Sequence, residues 1–177
     1  MFGQGDLNLL GAHLTTLSAI ILAYIFIASI EEISKHLSLY ADMGTADISR
    51  SRLLVAASLG ALGFVFLENC FYTFSYLATE GIFSSGFLGT LASRSIVSLL
   101  LHVFATVVLT LGFIKFVDQT PTQAWPSYIG YFTLAIAIHA LFNVSLTYGK
   151  TGIIFLYAII GYFVFTAIFF KPKPEEA

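Results

Sequence analysis

The sequence has little of what a soluble domain or a nucleic-acid-binding protein needs. Only 10% of its 177 residues are charged, and eight Lys and Arg face ten Asp and Glu, for a net charge of −2. This balance offers no basic excess for nucleic acid, and the low charge density excludes a solvated disordered domain. The single cysteine, Cys70, excludes an intramolecular disulfide and a cysteine-based zinc site.

Apolar residues fill the chain instead. They make up 58% of it, and the mean hydropathy is +0.88, which indicates an integral membrane protein. Runs long enough for spanning helices of about 20 residues cover residues 11–40, 49–78, 90–117, 124–148 and 151–170. The sequence therefore predicts an all-α fold, a polytopic membrane bundle of about five transmembrane helices. We expect one integral membrane domain over 1–177, with a short polar or interfacial segment at 1–10 and a solvated tail at 171–177.

The connections between these runs predict a turn and the orientation of the protein in the membrane. Residues 118–126 hold two prolines and Trp125, which suits a turn with an interfacial aromatic anchor. Lys and Arg in short loops favour the cytoplasmic side. An N-terminus outside and a C-terminus in the cytoplasm leaves Arg94 and Lys150 outside and places six basic residues inside: Lys35, Arg50, Arg52, Lys115, Lys171 and Lys173.

Ionisable and amide side chains occur within the apolar runs. An acid at the centre of a membrane helix costs about 2.5 to 3.5 kcal/mol, and such residues normally face the bundle interior and pair. At about 1.5 Å per residue, three of them share one level, roughly 18 to 22 Å above the inner ends of their helices. These three are Glu68, His102 and His139, and Asn143 follows His139 by one helical turn.

Glu31 and Glu32 allow two interpretations. If the first helix ends at Ile30, both glutamates belong to an ordinary solvated helix end with Lys35. If the helix continues to about Tyr40 and is near 30 residues long, Glu31 rises roughly 13 Å toward the other polar residues. Apolar residues at i, i+4 and i+7 favour the second interpretation, namely Ile33, Leu37 and Tyr40. Spacing alone leaves both open.

Helical spacing also predicts polar faces on three helices. These faces hold Ser95, Ser98, His102, Thr106 and Thr110 on the third helix, His139, Asn143 and Thr147 on the fourth, and Glu68, Tyr72, Ser75 and Thr79 on the second. We expect them to face a common interior. The Ser and Thr hydroxyls can instead bond carbonyls of their own helices. This alternative does not account for the ionisable residues Glu68, His102 and His139. Gly60 and Gly63, beside three alanines, predict a close approach between helices. His13 and His36 are predicted to be packing or interfacial histidines.

Four motifs follow one another on successive predicted helices. Glu31–Lys35 reads EExxK, Gly63–Asn69 reads GFxxxEN, His102 precedes a stretch that ends at Gly112, and His139–Asn143 reads HxxxN. Over residues 28–146 this set resembles the PrsW family of intramembrane proteases, which is related to type II CAAX prenyl endopeptidases and bacteriocin-processing membrane enzymes. The CAAX enzymes have the motif FxxxH, with a histidine four residues after the phenylalanine, whereas in this sequence Glu68 follows Phe64 at that spacing. This difference favours a membrane-anchored protein over a prenyl protein as substrate.

The resemblance implies an intramembrane endopeptidase, with a membrane-anchored protein substrate in the lipid bilayer. Glu31, with Glu32 beside it, would activate water, and His139 and Asn143 would donate to the oxyanion. Glu68 and His102 would orient the water or bind a metal. Zinc held by Glu68, His102 and His139 would satisfy the three-ligand pattern of catalytic zinc. A metal-free, glutamate-dependent mechanism stays open.

Two other functions fit the polar residues. Intramembrane Glu and His chains also form the proton relays of a proton-coupled transporter, although the sequence shows no internal repeat of the kind that transporters have. A catalytically silent membrane binding or immunity protein could keep the same scaffold and use its polar residues for packing and partner capture. Neither the oligomeric state nor the substrate follows from the sequence.

Overall fold

In a computed structural model of the protein, a short hairpin precedes a bundle of helices. The structure describes residues 7–9, 12–42, 49–80, 94–118 and 120–170. Strands β1 (Leu7–Leu9) and β2 (Ala12–Leu14) pair antiparallel. Five helices follow within the described residues: α1 (Leu17–Asp42), α2 (Arg50–Glu80), α3 (Leu99–Asp118, entered through a π-helical turn at Arg94–Ser98), α4 (Pro121–Thr147) and α5 (Thr151–Phe169).

The all-α membrane bundle is confirmed. Among the described residues, four helices are long and apolar enough to cross a membrane, over Leu17–Leu37, Arg50–Phe74, Ser95–Asp118 and Thr122–Thr147. The apolar stretch of α5, Gly152–Ile168, is shorter. It reaches roughly 26 Å, against a hydrocarbon core of about 30 Å.

Two predicted helix starts were wrong. The first helix begins at Leu17 rather than near residue 11, because residues 12–14 form a strand and the Thr16 hydroxyl accepts a hydrogen bond from the Ala19 N–H (3.4 Å). The fourth begins at Pro121 within the predicted turn, because proline at the first helical position loses no intrahelical hydrogen bond. Most of the predicted segment at 1–10, the predicted start of the third helix at 90–93 and the predicted tail at 171–177 lie outside the described residues.

Helix α1 continues past Glu31 to Asp42, as the longer interpretation predicted. The apolar spacing that favoured this continuation lies on the outer face, with Ile33 45% and Leu37 62% exposed. Beyond Ile30 the inner face is the polar one, and its buried residues there are Glu32, Lys35 and His36. His36 is a packing histidine, whose ring lies 5.2 Å from Phe113 and 5.6 Å from Tyr128.

Helix α3 lies at the centre of the bundle and contacts the other four helices. Four of its five predicted polar-face residues are buried: Ser98, His102, Thr106 and Thr110. The hydroxyl of Thr110 donates to the carbonyl of Thr106 (2.7 Å), the local bonding expected for membrane hydroxyls. The face predicted on α2 is incomplete, because Tyr72 is 42% exposed.

Glycines bring α3 close to two neighbouring helices, whereas the close approach predicted at Gly63 is absent among the described residues. A Cβ on Gly63 would meet nothing within 4 Å, so this glycine makes no close helix contact. A Cβ on Gly112 would lie 2.3 Å from the Tyr131 Cβ of α4. A Cβ on Gly161 would lie 2.6 Å from the Leu100 carbonyl oxygen, so α5 packs just as tightly on α3.

Candidate active site

The inner face of α1 carries an ion pair without access to solvent. Glu32 and Lys35 are three residues apart, a spacing that places both side chains on one helix face. The Lys35 ammonium donates to Glu32 Oε1, and the two residues are 4% and 0% exposed. Two charges at such depth need each other, because removal of either one leaves the other buried and uncompensated.

His139 on α4 contacts both glutamates of α1. Its Nδ1 lies 2.9 Å from Glu32 Oε1, and its Nε2 lies 3.3 Å from Glu31 Oε2. Because the ion-paired carboxylate of Glu32 can only accept, the Nδ1–H of His139 is the donor. A ring that carries its only N–H on Nδ1 presents the lone pair of Nε2 toward Glu31.

His102 on α3 contacts the other side of the ion pair. Its Nδ1 lies 3.1 Å from Lys35 Nζ, and its Nε2 lies 3.2 Å from Glu68 Oε2 on α2. The rings of His102 and His139 meet edge to face, with centroids 4.7 Å apart. Phe64, one turn before Glu68, lies 5.6 Å from the His102 ring and 5.4 Å from Lys35 Nζ.

These contacts form one continuous chain of six side chains from four helices. The order along the chain is Glu68, His102, Lys35, Glu32, His139 and Glu31. The four inner members are buried, whereas the side chains of Glu31 and Glu68 at the two ends are each 18% exposed. Within the described part of the chain, the cluster is therefore partly exposed at its two carboxylate ends and closed between them.

The structure brings together five of the six predicted site residues: Glu31, Glu32, Glu68, His102 and His139. Asn143 is half-buried one turn beyond His139, and its side chain makes no hydrogen bond to these five side chains. Its carbonyl accepts from the Thr147 hydroxyl (3.1 Å). The sequence-based set omitted Lys35, which the i, i+3 spacing from Glu32 could have revealed.

A divalent metal fits part of this site by geometry. Glu31, His102 and His139 each offer a ligand atom, and these atoms lie within 4.8 Å of one another. One carboxylate and two imidazoles form a known ligand set of catalytic zinc. This set has Glu31 where the sequence-based prediction had Glu68.

The surroundings of two ligands support that fit. Glu31 Oε2 is buried and has no hydrogen-bond partner in the described part of the chain. His139 donates its other ring N–H to a carboxylate, as metal-bound histidines usually do. His102 differs, because its other ring nitrogen faces an ammonium.

The bundle and its buried centre define the class of the protein, an integral membrane protein with an ionisable cluster among its helices. The family model for the PrsW family intramembrane metalloprotease matches residues 4–169. The chain therefore belongs to the PrsW family, as the ordered motifs predicted, and membership supports intramembrane proteolysis as its activity. No match was found among curated proteins or among solved structures.

Proposed function

We propose that this protein is an intramembrane endopeptidase that hydrolyses a peptide bond of a membrane-anchored protein with water activated by Glu31. The observation that carries the proposal is the environment of Glu31 Oε2. This atom is buried, has no hydrogen-bond partner among the described residues, and lies 3.3 Å from His139 Nε2. Glu32, by contrast, is engaged by Lys35 and His139 and has no free role as a base.

The reaction needs a base for water, donors for the oxyanion and an acid for the leaving amine. Glu31 takes the proton as the water oxygen bonds to the scissile carbonyl carbon. His102 Nε2–H and the side-chain amide of Asn143 are the candidate donors that stabilise the oxyanion. When the C–N bond breaks, the proton passes from Glu31 to the leaving amine, and Glu31 is a carboxylate again.

Glu31 and His139 are the residues that would hold a divalent metal, with His102 third by distance. The chemistry that such a metal supplies is polarisation of the water and of the scissile carbonyl. Elemental analysis of protein purified with saturating zinc tests this part of the proposal. We expect about one metal per chain in the parent and a loss in Glu31→Gln/His139→Gln, and a parent without stoichiometric metal would contradict it.

Proteolysis itself is tested with a fluorescently labelled single-span substrate in proteoliposomes. We expect cleavage by the parent, with the cut mapped by mass spectrometry, and no cleavage by His139→Ala. Ser34→Ala is the control, because Ser34 is exposed on α1 and, among the described residues, its hydroxyl bonds only the Ile30 carbonyl (2.8 Å). Equal rates for His139→Ala and the parent would contradict the proposal.

A proton-coupled transporter is the second candidate. It is favoured by the unbroken series of side-chain contacts that runs from Glu68 to Glu31 across four helices. Proton relays of pumps use such chains of buried acids and histidines. A pH-gradient flux assay in liposomes separates the two candidates. Flux that Glu68→Gln abolishes, without substrate cleavage, would support transport.

The orientation with an outer N-terminus also remains a proposal. Lys35 is buried in the site, so it does not count among the loop charges, and five of the six basic residues stay on the proposed cytoplasmic side against two outside. Accessibility of a cysteine introduced into the C-terminal tail, in a Cys70→Ser background, tests it. Labelling from the cytoplasmic side alone is the expected result, and labelling from the outside alone would contradict it.

A further inference from the structure

Lys35 is a buried cation between a carboxylate and an imidazole. Its ammonium donates to Glu32 Oε1 and lies 3.1 Å from His102 Nδ1. An ammonium has only donors, so Nδ1 of His102 must accept. A neutral imidazole carries one N–H, which must then be on Nε2, the nitrogen that lies 3.2 Å from Glu68 Oε2.

We propose that Lys35 is a positioning residue that holds His102 in the tautomer protonated at Nε2, so that His102 acts as a hydrogen-bond donor and not as a metal ligand. With its lone pair on Nδ1 directed at Lys35 and its single proton on Nε2, the neutral ring has no lone pair for a metal. A metal could bind Nε2 only if the contact between Lys35 and Nδ1 were lost, because a metal-bound histidine donates its other N–H to an acceptor.

The two histidines of the site therefore have opposite tautomers. Glu32 fixes the proton of His139 on Nδ1 and leaves Nε2 free to accept or to bind a metal. Lys35 fixes the proton of His102 on Nε2. Each histidine is thus held in its tautomer by one residue of α1. These two residues, Lys35 and Glu32, form an ion pair with each other. The catalytic consequence, a hydrogen-bond donor for the oxyanion, rests on the proposed protease function, whereas the tautomers do not.

Nitrogen NMR of the full chain in lipid nanodiscs tests the tautomer directly. The chain has four histidines, so protein labelled with ¹⁵N-histidine gives a simple spectrum, and His102→Gln assigns the relevant signals. We expect His102 to be protonated at Nε2 in the parent and in Lys35→Arg, and to lose this preference in Lys35→Met. Protonation at Nδ1 in the parent, or an unchanged tautomer in Lys35→Met, would overturn the proposal.

Zinc added to the labelled parent protein provides a second readout that needs no variant to fold. The His102 Nε2–H signal should persist, and its persistence supports the proposal whether or not the His139 signals shift. Conversion of His102 to the Nδ1–H form on addition of zinc would show coordination through Nε2 and would overturn the proposal.

Cleavage assays connect the tautomer to the reaction. Lys35→Met should lower kcat by about 10- to 100-fold, the usual effect of removing an orienting partner, with little change in KM and partial rescue in Lys35→Arg. Ser34→Ala should leave both constants unchanged. A parent that shows the expected tautomer but cleaves no substrate would contradict the protease function and leave the tautomer proposal standing.

Discussion

Two ion pairs in this protein have similar chemistry and opposite surroundings. At the end of the bundle, Arg50 Nη2 lies 2.7 Å from Asp118 Oδ2 and joins the start of α2 to the end of α3. These side chains are 73% and 43% exposed, whereas those of Lys35 and Glu32 are 1% and 0% exposed. Because water screens the first pair and not the second, a similar short contact has a far smaller energetic effect at the surface.

The surroundings of a charged side chain, more than its residue type, decide what it does in this protein. Arg50 and Asp118 can each return to water if the partner is lost. Glu32 and Lys35 cannot, so each depends on the other for its burial. Glu31 is intermediate, since its side chain is 18% exposed and its buried Oε2 is free for chemistry. We therefore expect the effects of substitution to follow burial and partners.

The largest effect should come from Glu31→Gln. Glutamine keeps the shape of the side chain but cannot take a proton from water, so cleavage should fall by about 10²- to 10⁴-fold, the usual contribution of a general base. The free energy of unfolding should change little, because Glu31 accepts no hydrogen bond at Oε2 in the described residues. Cleavage of the labelled substrate and unfolding in mixed micelles measure the two quantities.

Ser34→Ala is the control for this variant, since it alters an exposed residue of the same helix. If Glu31→Gln cleaves as fast as Ser34→Ala, Glu31 is not the base. If it instead unfolds as easily as the Glu32 variant described next, the distinction between the two adjacent glutamates is wrong.

Glu32→Gln should have the largest effect on stability. It leaves the Lys35 ammonium buried without its counter-charge, which costs about 3 to 5 kcal/mol for buried pairs. Unfolding of detergent-solubilised protein by SDS titration measures this loss. The double variant Glu32→Gln/Lys35→Met removes both charges and should be more stable than Glu32→Gln alone. A double variant that is less stable than the single one would show that the pair is not coupled.

Much of the bundle and of its centre follows from the sequence. Hydropathy locates the helices because each membrane span must be apolar and of similar length. The constant rise of a helix then places Glu68, His102 and His139 at one depth. These predictions need only backbone geometry, and the structure brings the three side chains into one cluster.

Hydropathy and helix rise could not predict the rotation of α1 about its own axis. Ile33 and Leu37 form an apolar stripe that would face the core of a soluble protein, yet here they lie outside. In lipid an apolar stripe has no preference for the interior, because the acyl chains are as apolar as the side chains. The different environments of Glu31 and Glu32, and the contact of Lys35 with His102, depend on this rotation. The packing of α1 against α2, α3 and α4 determines it.

Gly112→Ala tests whether the cluster depends on close helix packing. The new Cβ would lie 2.3 Å from the Tyr131 Cβ, so α3 and α4, which carry the two histidines, must separate. Overpacking of this kind costs about 1 to 3 kcal/mol, and cleavage should fall with it. Gly63→Ala is the matched control, because its Cβ meets nothing within 4 Å and alanine favours the helix by up to about 1 kcal/mol. Equal stability of the two variants would contradict the observed packing.

The smallest effect should come from Arg50→Gln. The Arg50–Asp118 pair is exposed, so its removal should change the free energy of unfolding by less than about 1 kcal/mol and leave cleavage unchanged. High salt should reduce the stability of the parent protein toward that of the variant, because mobile ions screen exposed charges and not buried ones. The stability difference between Glu32→Gln and the parent should persist at every salt concentration. If Arg50→Gln costs as much as Glu32→Gln, or if salt removes both differences, exposure to water is not what separates the two ion pairs.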